Sequence, residues 1–250
     1  MHLREPLAVS EVFVHTVRRQ QWIGRAWLAA VATLCAVWFT VLPVDWAAWL
    51  QHAASLAVQP SADLRVVTLY ALALPLVNGV FAVELGARLI AGERELGGLA
   101  LLLAQPVSRR RLFFEKVLTL PLWLAAVILP VLVLGLLFVP FSRMDAAGVV
   151  LWFQGLVFAV LGCLAGAAAG KLRAARAAGG LCLILAAAAL RLPDGPGWAR
   201  VLRSFSPLSR GVDVHPLVSA VRPDEVWLWL TAVVVLAAIA GYLFEHRDLD

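Results

Sequence analysis

Apolar residues run through this chain in blocks. Six stretches, about residues 23–43, 66–86, 117–139, 147–169, 174–192 and 226–244, are almost uninterrupted in apolar character. Each is close to the roughly 20 residues that an α-helix needs to cross a ~30 Å hydrocarbon layer. The pattern predicts an all-α membrane protein: one transmembrane domain over residues 1–250 with six transmembrane helices. The fifth block is the least clean, because Arg173 and Arg176 crowd its start and Arg191 its end. Ahead of the first block, residues 6–19 put Val9, Val12, Phe13, Thr16 and Val17 on one helical face and Glu11, His15, Arg18 and Arg19 on the other. That pattern predicts an N-terminal interfacial helix.

Between the second and third blocks lies the stretch where charge, glycine and leucine crowd together. Leu85, Leu89, Gly92, Leu96, Leu99 and Leu103 recur at alternating steps of four and three, one face of a helix, with Arg88, Glu93, Arg94 and Glu95 off that stripe. Two adjacent glycines, Gly97 and Gly98, cost roughly 1 kcal/mol each relative to Ala inside a helix. The incoming helix is therefore expected to end near Leu96. A short helix from about Leu99 to Ala104 is expected to follow along the membrane surface, with Pro106 as its stop.

This stretch resembles the cytoplasmic loop of ABC-2 type transporter permeases. The resemblance rests on Ile90-Ala91-Gly92-Glu93-Arg94-Glu95, then Gly97, Leu99, the leucines 101–103 and Pro106-Val107-Ser108-Arg109, with Lys116 opening the next span. Ser206-Pro207-Leu208 before the last span and Arg247-Asp248-Leu249 after it are also similar to that family. Two positions depart from its pattern: Gly98 stands where Thr is usual and Ala100 where Glu is usual. Gly caps a helix only a few tenths of a kcal/mol less well than Thr, so the departures bear on the subfamily more than on the class. The resemblance implies a six-span subunit of an ABC transporter, paired with a second permease copy or a sister permease. It also implies docking on separate ABC ATPase subunits that carry ATP and Mg, with no cofactor on this chain. The coupling element would comprise Arg88, Glu93, Arg94, Glu95, Leu96, Gly97, Gly98, Leu99, Leu103, Pro106 and Arg109, with the acids meeting polar residues of the ATPase.

Composition changes the picture in one direction. At 62% hydrophobic and 15% charged residues, the chain lies far from the 45–50% and 25% of soluble domains. With six spans both termini share a side. That side collects fourteen of the 21 lysines and arginines, which marks it as cytoplasmic; the resemblance implies that the membrane is a bacterial inner one. Most of the remaining basic residues flank one long outer segment, residues 193–225. The net charge of +5 sits beside apolar blocks, so it points to anionic membrane lipids and not to nucleic acid. Cys35, Cys163 and Cys182 fall inside spans without C-x-x-C spacing and read as small buried residues. The five histidines form no metal-ligand set, and the first apolar run starts too late and is too long for a cleaved signal peptide.

Within the spans, Glu84 stands four residues before Arg88, the spacing of a helical ion pair. Pro121 and Pro130 invite kinks in the third span. Gly162, Gly166 and Gly170 form a ridge at steps of four for close helix packing, in this chain or with a second copy. Gln154 reads as an interhelical hydrogen-bonding group. Gly166 to Lys171 mimics a phosphate loop but lacks one residue, the Ser or Thr for magnesium, and a preceding strand. In the outer segment Trp198, Val201, Leu202 and Phe205 alternate with Arg200, Arg203 and Ser204, enough for a short surface helix ended by Ser206-Pro207, with a plain surface loop as the alternative.

Three functions are open to such a chain. A transport subunit driven by ATP fits the charged stretch. A gradient-driven secondary transporter would carry inverted repeats and acids near the midplane, which the two halves do not display. An intramembrane enzyme would need a nucleophile or paired acids with a base, and Glu84, Asn78, Gln154 and the cysteines form no such set.

Overall fold

The computed structural model describes residues 9–40, 69–97, 108–136, 141–190, 192, 197–208 and 223–246. Every regular element among them is helical: α1 (Val9–Thr40), α2 (Leu74–Ala87), α3 (Arg109–Val117), α4 (Thr119–Gly135), α5 (Phe141–Ala169), α6 (Leu172–Ala189), α7 (Gly197–Phe205) and α8 (Pro223–His246). Wide π-type turns, Leu69–Ala73 and Arg88–Gly92, flank α2, and a final turn, Glu93–Glu95, extends it. Five stretches among the described residues are long and apolar enough to cross a membrane: Leu74–Glu95, Arg109–Val133, Ala147–Ala169, Leu172–Ala189 and Val226–His246.

Three boundaries differ from the pattern-based expectation. The amphipathic stretch and the first apolar block form one continuous helix, α1, instead of an interfacial helix followed by a span. No Gly or Pro interrupts residues 9–23, and nothing there penalises helix continuation. At ~1.5 Å per residue its 32 residues reach about 48 Å. The second helix runs on past residue 86 to Glu95, for reasons found at the charged cluster below. The third membrane-length stretch starts earlier than its apolar block, at Arg109, and is interrupted at Leu118 between α3 and α4. Pro121 has no N–H for the Val117 carbonyl, which breaks the ladder at that turn. Helix α3 starts at Arg109 because the Ser108 side chain accepts from the Arg111 N–H at 3.3 Å, an N-cap.

Helix α5 is the hub, packed against α2, α4, α6 and α8, while α1 lies along α3 and α4. Glycine permits the closest of these approaches. A Cβ on Gly162 would sit 2.5 Å from the Val83 carbonyl oxygen and 3.0 Å from the Ala87 nitrogen. Gly86 faces back toward Ala159 and Cys163 with no room for a methyl group. The predicted ridge is thus used within the chain by Gly162 and Gly166. Gly170 does a different job: its φ of +69° and its N–H bond to the Gly166 carbonyl at 3.0 Å end α5, as a left-handed glycine at a helix C-terminus does.

Polar side chains tie the inner helices. The Tyr70 hydroxyl donates to the Val131 carbonyl at 2.7 Å, the Asn78 amide to Leu151 at 2.8 Å, and Trp152 Nε1 to Pro121 at 3.0 Å. Gln154 donates across to the Pro207 carbonyl at 3.0 Å, the interhelical role read from the sequence. Cys35 and Cys163 are buried, whereas Cys182 lies on the exposed side of α6. Trp22, Trp198 and Trp227 are well exposed, as residues of a membrane-interface belt are, but Trp27 packs inward on Phe81 with ring centroids 5.4 Å apart.

Candidate functional site

The site is the end of the bundle where the second helix runs out. Up to Gly92 the leucine stripe behaves as its spacing predicts: Leu85 and Leu89 are buried in the core. The turn Arg88–Gly92 then widens to a π-type turn. One extra residue in a turn rotates everything after it by about one residue, ~100° around the axis. Glu93, off the stripe in sequence, consequently turns inward and is 5% exposed; Leu96, on the stripe, turns outward and is 72% exposed. The helix ends there, with the Leu96 N–H on the Gly92 carbonyl at 3.3 Å and the Gly97 N–H on Arg94 at 3.0 Å. Gly97 takes φ +69°, a conformation that glycine adopts without strain.

Each acid on this helix is matched to a donor on another helix. Glu84 pairs with Arg88 one turn on and accepts two bonds from Arg176 of α6, at 2.7 Å from Nε and 2.6 Å from Nη2. Glu93 forms an ion pair with Lys116 of α3, which is fully buried. Glu95, on the opposite side, accepts from the Leu172 N–H at 2.8 Å. Lys171, the residue before α6, offers that helix no side-chain cap, so Glu95 caps α6 from another helix. A carboxylate at a helix N-terminus also suits the helix dipole. Three acids therefore fasten the end of α2 to α3 and α6, and this explains why the helix continues through a run of charges.

Around this clamp the Arg88 guanidinium lies over the Trp22 ring, 5.0 Å from its centroid. A cleft of about 250 Å³ opens beside it, lined by Gln20, Trp22, Arg88, Glu93, Glu95 and Leu96. Arg111 pairs with Glu115 at 2.9 Å. Arg94 is half-buried and Arg109 exposed. Phe244, near the end of α8, packs on Phe113 of α3 with centroids 5.6 Å apart, so the far end of the chain reaches this same end of the bundle.

The structure brings together Arg88, Glu93, Arg94, Glu95, Leu96 and Gly97 of the sequence-derived set, while Arg109 opens α3. Gly98, Leu99, Leu103 and Pro106, and with them the short helix expected over Leu99–Ala104, lie outside the described residues. Glu93 and Glu95 have partners inside the chain, where the sequence reading gave them partners on another protein. Sequence reasoning missed Lys116 and the Leu172 N–H as their counterparts, and Arg176 as the partner of Glu84 on another helix. Lys116 carried a signal, being a lone cation at the start of an apolar block, which membrane burial penalises unless it is paired.

The sequence matches the family described as ABC-2 family transporter protein over residues 17–172, well over half of the 250-residue chain. The match begins within α1 and ends at Leu172, so it contains Glu84, Glu93, Glu95, Lys116 and the glycines of the α2–α5 seam. Among curated proteins, none matches the chain in sequence. Among the described residues, an all-helical bundle with five apolar stretches of membrane-crossing length, joined at one end by a charged clamp, agrees with that match: the chain is an integral membrane transport subunit and belongs to the ABC-2 transporter family.

Proposed function

We propose that the chain is the permease of an ATP-driven exporter and that the charged end of the bundle is where a separate ATPase chain pushes on it. In this reading the chain has six spans, with both termini and the clamp in the cytoplasm of a bacterial inner-membrane protein. Two permeases, identical or sister chains, pair around the pathway, and ATP and Mg stay on the partner ATPases. The excess of basic residues on that side supports the orientation.

The observation that carries the proposal is the contrast at the tip of the second helix. Behind the tip, Glu84, Glu93 and Glu95 brace it to α6, α3 and α6 again. At the tip, Leu96 is exposed. A braced strut ending in an exposed apolar residue suits a part that receives a push and passes it to several helices together. Transport driven this way needs two packings whose balance a partner shifts. The first turn of α3 adds to this, since Arg109, Arg110 and Arg111 are cations at a helix N-terminus, where the dipole disfavours them. Their placement serves anionic headgroups or an acidic partner surface better than it serves the helix.

The test uses Leu96→Glu in the full chain, reconstituted in nanodiscs with the ATPase that co-purifies with it. Thermal stability should stay close to wild type because Leu96 is exposed, while ATPase binding or transport-coupled hydrolysis falls. Wild-type binding and coupling in this variant would sink the proposal. Reversing Glu93 is a poorer test, since it would set two buried cations against each other.

A further inference from the structure

The tip of the second helix has two registers open to it. In the sequence Leu85, Leu89, Gly92 and Leu96 keep unbroken α spacing, so a regular helix would set all four on one face. In the structure that face holds only as far as Leu89, which is fully buried. The Arg88–Gly92 turn then takes up one residue more than an α turn. Glu93 consequently occupies the place that the spacing assigns to Gly92. Upstream of the turn the helix is locked to α5, since a Cβ on Gly86 would lie 1.9 Å from the Ala159 carbonyl oxygen. A change of register is therefore confined to the tip.

Two contacts belong to the wide turn alone. Glu93 pairs with buried Lys116 of α3, and Glu95 accepts from the Leu172 N–H at 2.8 Å at the start of α6. In the regular register every residue after the turn moves to the place its successor holds now, a rotation of ~100°. Glu93 then takes the half-buried place of Arg94, and Glu95 the exposed place of Leu96. Gly92 faces Lys116 instead. Leu96 comes onto the inward face one turn beyond Gly92, where the cleft of about 250 Å³ has Trp22, Ile23 and Leu172 among its walls. An ion pair and a helix cap thus oppose one sheltered leucine and a regular backbone. The charges win in the observed register, and the leucine stripe remains as the competing pattern.

We propose that the Arg88–Gly92 turn is a register switch. Its wide form exposes Leu96 and clamps the second helix to α3 and α6. Its regular form withdraws Leu96 toward the cleft and releases Glu93 from Lys116 and Glu95 from α6. Exposure of the apolar tip and bracing of the helix behind it are then a single event. A partner that covers Leu96 binds the wide form alone and so selects the braced helix. This last step rests on the docking role proposed for Leu96, whereas the two registers do not.

The test uses the full chain alone in nanodiscs, so its result is independent of the docking experiment with the ATPase. Cys182→Ser first removes the exposed native thiol. Glu93→Cys with Lys116→Met then takes away the pair that holds the wide turn. The introduced thiol should react with a water-soluble maleimide, because Leu96 claims the inward face. Deleting Ala91 from this variant removes the extra residue and fixes the thiol inward in a regular helix, so most of the reaction should be lost. Leu96→Glu in place of the deletion should protect the thiol equally, since an acid gains nothing from an apolar cleft. Hydrogen exchange at Leu172 to Ala174 should rise in the reactive variant and fall again in the protected ones, although Glu95 itself is unchanged. An unreactive thiol in the first variant, or one that stays reactive after both the deletion and Leu96→Glu, would overturn the proposal. So would a reactive thiol with no change at the first amides of α6.

Discussion

Helices α5 and α8 are equally suited by composition to crossing a membrane, yet 78% of the membrane-crossing window of α5 is buried against 22% of that of α8. Apolarity sends a helix into the bilayer, but lipid tails are as apolar as leucine and do not decide which helices then pack together. Small residues and polar pairs decide it. Gly155, Gly162 and Gly166 of α5 let Asn78, Leu124 and the backbone of the second helix come within contact distance. The outward face of α8 carries Trp227, Val234, Ile239 and Tyr242, bulky groups that suit lipid. The interior of this protein is built by what its apolar helices leave out.

The largest effects should come from the charges enclosed by that interior. Removing one member of a buried ion pair leaves an uncompensated charge and costs about 3–5 kcal/mol. Glu93→Gln and Lys116→Met, made singly, should each lower thermal stability in detergent steeply or prevent recovery of folded protein. The double variant Glu93→Gln with Lys116→Met should recover most of the loss. Exposed Arg173→Met in α6 should change little. A double variant as unstable as the sum of the singles would mean that the two residues act independently and the clamp is not a pair.

Next in size is the glycine seam. Gly162→Ala places a methyl group 2.5 Å from the Val83 carbonyl oxygen, a backbone atom that cannot swing aside, so α2 and α5 must separate. Overpacking of this kind costs about 1–3 kcal/mol. The unfolding midpoint should fall accordingly, and an unchanged midpoint would remove the seam as the organising contact.

Much of this was legible in the sequence, and the limits are physical. The apolar blocks and the short helix α7 were readable because they depend on composition and local spacing. The close-packing role of Gly162 and Gly166 was readable from their step of four, but their partner was not, because spacing on one helix says nothing about which helix meets it. Gly170 continued the same spacing and yet ends the helix, and the polar Lys171 after it was the available signal. Extension of the second helix to Glu95 was hidden because a run of charges reads as a loop until Lys116, Arg176 and the Leu172 N–H are known to be its partners. The inward turn of Glu93 was equally hidden, since it depends on a wide turn that no periodicity announces.

A smaller effect is expected where the clamp reaches the periphery. Glu95→Ala removes the cap that α6 receives from another helix, and losing an N-cap costs typically ~1 kcal/mol. Hydrogen exchange at the first amides of α6, Leu172 to Ala174, should speed up while the seam between α2 and α5 stays protected. Exchange that rises across both regions would show that Glu95 supports the interior and not one helix start.

The smallest effect also separates the two regions most sharply, because it contrasts neighbouring residues. Gly179 and Gly180 are adjacent in α6, but a Cβ on Gly179 would lie 2.5 Å from Val83 Cγ1, whereas one on Gly180 would have nothing within 4 Å. Glycine inside a helix is less stable than alanine by roughly 0.5–1 kcal/mol. Gly180→Ala should therefore raise stability by about that amount, while Gly179→Ala should lose the gain to the contact with Val83. Thermal unfolding of both variants in the same lipid reads the difference directly. Gly180→Leu extends the test to the assembly. If that face meets lipid, the leucine is accommodated and the oligomeric state by mass photometry is unchanged. If a second copy packs there, Gly180→Leu should shift the protein toward monomer although no contact within the chain has been altered, and the peripheral face of α6 would then belong to the interior of a dimer.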